Sequence, residues 1–289
     1  MAFDFMDILR IESLRKEYPG FTLDDVTFSL EPGYIMGLIG RNGAGKTTAI
    51  KATLGLISRD GGRVFIDGIE FTGSEKGCKE KIGFVMGEFD YYKYSRIGVV
   101  ANVVKRFYRD WDDGVYRALI ERFALDESKK VNELSAGMRV KFSLALALSH
   151  NAKLLMLDEP TSGLDPVSRD ELLDVFRSVI ADGTRSILFS THIISDLEKC
   201  ADYITFIHEG RVLVSSDIES FKAGYMLVSG DSEDLERFRE HIIGAKKHAF
   251  GFTGLIKAED AVLMPELKTA PADLETIMIF NESGVKLDA

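Results

Sequence analysis

The stretch Gly40-Arg41-Asn42-Gly43-Ala44-Gly45-Lys46-Thr47-Thr48 constrains this chain more than any other, because its G-x-x-x-x-G-K-T spacing works only between a strand and a helix. The glycines let the backbone bend tightly and turn several N–H groups inward, at the positive end of the helix that follows. Such a cradle takes phosphate. Lys46 is placed to reach the β- and γ-phosphates of a nucleotide, and Thr47 to hold Mg²⁺. The flanks agree, since residues 34–39 (YIMGLI) read as a buried strand and residues 47–56 as a helix.

A second constellation lies beyond residue 130. Leu134-Ser135-Ala136-Gly137-Met138 leads into a helical pattern over 139–149, and a serine before a long apolar-faced helix is a good N-cap. Residues 154–157 then form a short apolar strand ending in Asp158-Glu159-Pro160. Two adjacent acids at the end of a buried strand are costly to desolvate unless a cation waits there. A metal-bound nucleotide supplies one: Asp158 is expected to hold Mg²⁺ through its water shell, leaving Glu159 free to polarise an attacking water. Thr161 to Pro166 reads as a turn opening a helix that runs to about residue 180. Residues 186–190 (SILFS) form another buried strand, followed by Thr191-His192, the place where parallel sheets put their chemistry.

The rest of the chain frames these motifs. Residues 8–14 and 26–30 read as half-buried strands with turns at Pro19-Gly20 and Pro32-Gly33, and residues 63–67 and 82–86 as further strands. From Glu88 onward the character becomes helical, with Val99, Val103 and Phe107 on one face and Tyr116, Leu119, Ile120 and Phe123 on another. Beyond Gly224 a separate pattern begins: a strand at 225–228, a helix from Asp231 or Ser232 through His241 carrying Leu235, Phe238 and Ile242, strands near 250–257 and 261–264, and a helix opened by Pro271.

Charge narrows the partners. With 36 Lys and Arg against 46 Asp and Glu, the net charge is −10, which argues against nucleic acid or broad contact with anionic lipid. No apolar run approaches the ~18 residues that span a bilayer, since the most apolar region, 142–157, is broken by His150, Asn151 and Lys153. The opening MAFDFMDILR carries acids where a signal peptide needs bases. Cys78 and Cys200 read as ordinary cytosolic thiols.

In this order, GRNGAGKTT, LSAGM, LLMLDEP, SGLD and a histidine after a strand, the motifs resemble the ATP-binding subunit of ABC transporters over residues 8 to about 216. The resemblance implies an α/β fold: a P-loop NTPase core with an antiparallel β subdomain and a helical insert at about 88–150, forming residues 1–223, with a small C-terminal α+β appendage over 224–289. It implies that Tyr18 stacks on adenine, that Gly40 to Thr48 hold the phosphates of ATP, and that Thr47 and Asp158 serve Mg²⁺. It implies Glu159 as the catalytic carboxylate and His192 as the γ-phosphate contact. Ser135, Gly137 and Asp165 are implied at the ATP site of a second ATP-binding subunit, so hydrolysis needs a head-to-tail dimer, with like or unlike subunits.

Two positions depart from the family pattern. Ala136 and Met138 replace a Gly and the Gln of the usual LSGGQ, while Ser135 and Gly137 are kept. Where the family places a glutamine after the strand matched by 82–86, this chain has Gly87-Glu88, and Glu88 is expected to substitute as the sensor joining the ATP site to the insert. Such variants resemble exporter-type subunits of bacitracin-resistance and YtrB-like systems. The implied function is an ATPase that drives a separate membrane permease from the cytoplasmic face. The alternative is a soluble ABC ATPase remodelling a macromolecular complex; translation-factor members carry two cassettes, and chromosome-type members insert long coiled coils before the signature, which this chain lacks.

Overall fold

A computed structural model of the chain describes residues 7–86 and 92–283. Glu88, expected to join the ATP site to the insert, lies outside them, as does Gly87. The chain divides into two compact units, Met1–Ser215 and Ser216–Ala289. The division falls ahead of the boundary expected at residue 223.

In order, the first unit runs β1 (Leu9–Tyr18), β2 (Phe21–Leu30), β3 (Ile35–Ile39), α1 (Lys46–Thr53), β4 (Gly61–Ile66), β5 (Ile69–Glu70), α2 (Lys76–Glu80) and β6 (Ile82–Met86). It continues with α3 (Ile97–Lys105), α4 (Asp113–Arg122), α5 (Ala136–Ser149), β7 (Leu154–Asp158), α6 (Pro166–Ile180), β8 (Ser186–Thr191), α7 (Ile194–Cys200), β9 (Tyr203–His208) and β10 (Arg211–Asp217). Two sheets result. One has the order β2-β1-β4-β5 and is antiparallel throughout. The other has the order β10-β9-β3-β8-β7-β6, and β9, β3, β8, β7 and β6 run parallel.

Burial explains why each strand took its place. Every residue of β3, β7 and β8 is buried, as central parallel strands covered on both faces require, whereas β1 and β2 mix buried with exposed positions, as suits an antiparallel sheet with one face wet. Gly37, in the middle of β3, admits α7 closely: a Cβ there would lie 1.9 Å from Leu197 Cδ2. One core packs both sheets around α1, with Leu9, Ile11 and Val64 from the antiparallel sheet against Ala49 and Ile50 of α1 and Leu38, Leu154 and Leu188 of the parallel one.

The helical part differs in one face from expectation. On α4 the expected stripe is the inner one, with Tyr116 and, just past the helix end, Phe123 buried. On α3 the buried residues are Ile97, Val100 and Ala101, while Val99 and Phe107 are more than half exposed. Both stripes of α3 are apolar at helical spacing, so periodicity alone could not choose between them.

The second unit contains α8 (Ile218–Ala223), β11 (Tyr225–Gly230), α9 (Ser232–Arg237), β12 (Ile242–His248), β13 (Gly251–Lys257), β14 (Lys268–Pro271) and α10 (Leu274–Ser283). Its sheet has the order β12-β13-β11-β14, and Val228, Leu235, Phe238, Ile242, Phe252 and Ile256 belong to its core. Three local expectations are corrected. The helix expected from Asp231 through His241 is α-helical only to Arg237, with a 3-10 turn at Arg239–His241, and Ile242, expected on its face, begins β12, where its side chain meets the same core from a strand. Residues 258–263 form a 3-10 turn rather than leading into a strand at 261–264. Pro271 ends β14, and Asp273 opens the last helix by accepting the Thr276 N–H at 2.7 Å.

The β9–β10 turn supplies a test of the first unit. Gly210 has φ of +81°, and a Cβ there would lie 1.9 Å from Thr22 O on β2. Gly210→Ala is expected to lower unfolding stability by at least about 2 kcal/mol, read as a lower midpoint in denaturant.

Candidate functional site

The carboxyl ends of β3, β8 and β7 lie side by side, and each continues into a motif. After β3 the chain makes the phosphate loop. Gly40 can carry no side chain, because its φ is +153° and a Cβ would lie 2.2 Å from Ile207 O; Gly45, at +112°, leaves space that Phe21 and Leu23 close at 2.9 Å. α1 begins at Lys46 with no side-chain cap, so its first N–H groups face the loop's interior, an anion site by construction.

Lys46 is buried, and its ammonium donates to Gly40 O at 2.7 Å and Arg41 O at 3.3 Å. The same nitrogen stands 3.3 Å from Glu159 Oε1. Buried Asp158, closing β7, accepts the Thr47 hydroxyl at 3.0 Å and the Ser190 hydroxyl at 2.7 Å, both on Oδ1. Ser190 Oγ in turn accepts the Glu159 N–H at 2.8 Å. That bond helps hold Glu159 in the left-handed region, at φ of +49°, a conformation non-glycine residues adopt where the surroundings impose it. Its carboxylate meets His192 Nδ1 at 2.8 Å.

These groups surround an open cavity of about 720 Å³. Arg41, Asn42, Gly43, Gly45, Lys46, Thr47, Thr48, Glu159 and His192, all anticipated, line it; Gly40 and Ala44 belong to the loop through their backbone, Gly210 N–H donating to Ala44 O at 3.0 Å. Tyr18 is 43% exposed and outside the lining. Its register partner across the β1–β2 turn, Phe21, lines the cavity with Gly20 instead.

Ser135, Gly137 and Asp165 are also outside the lining. Ser135 caps α5, accepting the Met138 N–H at 3.2 Å. Asp165 caps α6, accepting Val167 N–H and Ser168 N–H at 3.0 Å each, and the Ser168 hydroxyl holds its carboxyl below the usual carboxylate range. The two caps adjoin, since a side chain starting at Gly137 would meet Leu164 Cδ2 at 3.5 Å. Both are exposed. They form one surface carrying two helix N-termini, separate from the cavity of their own chain.

Gly20, Phe21 and Ser190 are site residues outside the motifs, and Ser162, the first residue of SGLD, lines the cavity although no role was expected of it. Ser190 had a signal, a polar residue at the end of an otherwise apolar buried strand, two residues before His192. Phe21 had none, because an aromatic opening a strand is ordinary.

A family model described as ABC transporter matches residues 23–162. The ABC transporter ATP-binding protein YtrB of Bacillus subtilis is 30% identical over 222 residues, 76% of this chain and 76% of that one. The lantibiotic transport ATP-binding protein SrtF of Streptococcus pyogenes is 32% identical over 219 residues, 73% of this chain and 92% of that one. A solved structure described as the ATP-binding subunit of an ABC transporter superposes with a TM-score of 0.67 at 26% identity, covering 74% of this chain and 92% of that one.

Ser190 offers the sharpest test of the geometry. Ser190→Ala removes one donor from Asp158 and leaves the Glu159 N–H unpaired, so stability should fall by about 1–2 kcal/mol and ATP turnover by roughly tenfold. Denaturation and steady-state phosphate release measure both; an unchanged turnover would show that Asp158 and Glu159 are held by other means.

Proposed function

The chain belongs to the ABC transporter ATP-binding proteins and is an ATPase coupled to transport, and from that premise we propose that it works as a head-to-tail pair on a separate membrane permease. The observation that carries this is the division of the motifs. Lys46, Thr47, Glu159 and His192 line one cavity, with Asp158 just behind Thr47, while Ser135, Gly137 and Asp165 present two helix N-termini away from it. A second subunit turned to face the first brings those N-termini to the γ-phosphate that the cavity holds, and the first subunit serves the second in the same way.

Within the cavity the loop amides and Lys46 bind the phosphates. The adenine end falls toward the β1–β2 turn, where Phe21 and, beyond it, Tyr18 offer aromatic faces. Thr47 Oγ1 and Asp158 Oδ1, 3.0 Å apart, are hard oxygen donors of the kind that hold Mg²⁺ alongside phosphate oxygens. Bound there, the ion neutralises the phosphate charge. Phosphate oxygens compete with Glu159 Oε1 for the Lys46 ammonium, and the freed carboxylate is then available to accept the proton of an attacking water. His192, exposed enough to reach the γ-phosphate, keeps Glu159 oriented through Nδ1.

No helix among the described residues is long and apolar enough to cross a membrane, so the permease is a separate chain in this reading. A second cavity, of about 230 Å³, fits its contact: Phe84, Met86, Val100, Val104, Tyr108 and His150 line it between β6, α3 and α5. Tyr108 and His150 stack there at 3.7 Å, and burial holds the imidazole pKa below its ordinary value, so the wall is uncharged. We place the permease contact at this groove and assign the subunit to the export of a peptide-like compound; the name of SrtF, a lantibiotic transport ATP-binding protein, supports the cargo class, and the direction rests on the exporter-type resemblance of the motifs. The assembled subunit then sits on the cytoplasmic face of the membrane.

Glu159→Gln keeps the shape and removes the base, so ATP should still bind while turnover falls at least a hundredfold. Trapped ATP should hold two subunits together, visible as a doubled mass on gel filtration with Mg-ATP. Ser135→Arg should block hydrolysis while the isolated subunit binds ATP with parental affinity; loss of binding to the single subunit would place Ser135 in its own chain's site and rule out the head-to-tail arrangement.

A further inference from the structure

Asp196 is almost fully buried, at 1% exposure, in the first turn of α7, which starts just after His192. The hydrolytic scheme gives it no task. Arg169, in the first turns of α6, directs Nε toward its carboxylate and stops at 3.9 Å from Oδ1. The Thr161 hydroxyl, fully buried two residues after Glu159, also faces the carboxyl and favours its charged form. Yet Thr161 Oγ1, Arg169 Nε and Asp196 Oδ2 are all buried without a completed hydrogen bond. Three unmet polar atoms at one point stand out, because the large majority of buried side-chain polar atoms in native interiors are paired. Burial raises the Asp196 pKa, and Arg169, Lys199 and His192 pull against that rise.

The position of the cluster gives it meaning. Arg169 is tied to the turn that carries Asp165: its N–H donates to Asp165 O at 3.0 Å and its Nη2 reaches Leu164 O at 3.5 Å. Asp196 is tied to the segment that carries His192, through its N–H to Ile193 O at 3.2 Å. The acid and its two neighbours thus join the chain after β7, the chain after β8 and the cap of α6 in one buried spot.

We propose that Asp196 is a positioning residue for ATP hydrolysis, closing on Arg169 and Thr161 so that the subunit-facing turn at Asp165 and the catalytic His192 move as one piece. The contact stands slightly open in the single chain, and pressure on Asp165 from a second subunit closes it. His192 is then set against Glu159 and the γ-phosphate only when a partner is in place. This rests on reading Glu159 and His192 as the hydrolytic pair.

Steady-state ATPase measurements on the full chain with Mg-ATP test it. Asp196→Asn keeps the size and removes the charge; kcat should fall at least tenfold, the Hill coefficient for ATP should drop toward one, and ADP affinity, read by titration calorimetry, should change less than twofold. Arg169→Gln should do the same. The double variant should be no slower than the slower single, because both remove one contact. Thr161→Val should cost about threefold. Parental kcat and cooperativity in Asp196→Asn, or losses that multiply in the double variant, would overturn the proposal. Should Asp196→Asn fail to fold, Arg169→Gln and Thr161→Val decide alone. His192→Ala is the control: if it keeps the parental rate, the reading of the site fails first; if it is inactive while Asp196→Asn and Arg169→Gln are normal, only the present proposal fails.

Discussion

Parallel strands buried on both faces must end where their backbone can turn toward water, and in this chain three neighbouring ones end level with each other. Pairing sets Ile39 opposite Thr191 and Asp158 opposite Ser190. A slip of one residue between β7 and β8 would turn Asp158 and Ser190 to opposite faces of the sheet, and one between β3 and β8 would carry Thr47 away from both. The phosphate loop, the acidic pair and the histidine come from distant parts of the chain, and strand register is what makes them one site.

Charge adds a second constraint. Lys46 and Asp158 are both buried, and a buried charge is tolerated only when its donors or acceptors are met. Lys46 is met by two carbonyls and Glu159, and Asp158 by two hydroxyls. The Asp196 cluster, by contrast, is left partly unmet a short distance away along the same segments. The polar groups are thus fully paired around the glycine loop and incompletely paired in the buried spot between α6 and α7.

Much of this could be read from the residues. The glycine loop, the strand-terminal acids, His192 and the two capped helices carry strong local signals, because each needs a particular residue type at a fixed spacing. What could not be read are features that depend on which surface faces which. α3 has two apolar stripes, and packing rather than period selects Ile97, Val100 and Ala101. Phe21 became a cavity wall only because the β1–β2 hairpin lies across the loop. In the second unit the 3.6-residue pattern ran past the end of α9 into β12, where Ile242 serves the same core from a strand. Arg169 and Asp196 look like ordinary helix-surface charges until α6 and α7 are placed together.

The contact between Lys46 and Glu159 bears on how firmly a nucleotide can be held. A site whose cation is already satisfied gains from an incoming phosphate only the difference between the new partner and the old one, so part of the attraction is cancelled before binding begins. The same cancellation works in reverse after the γ-phosphate has gone. ADP leaves behind a lysine that has its carboxylate and carbonyls to return to, rather than a bare buried charge, and the barrier to emptying the site is lowered accordingly. An enzyme that must turn over repeatedly gains from such tempered affinity wherever departure of the spent nucleotide limits its rate, as product release does in many enzymes.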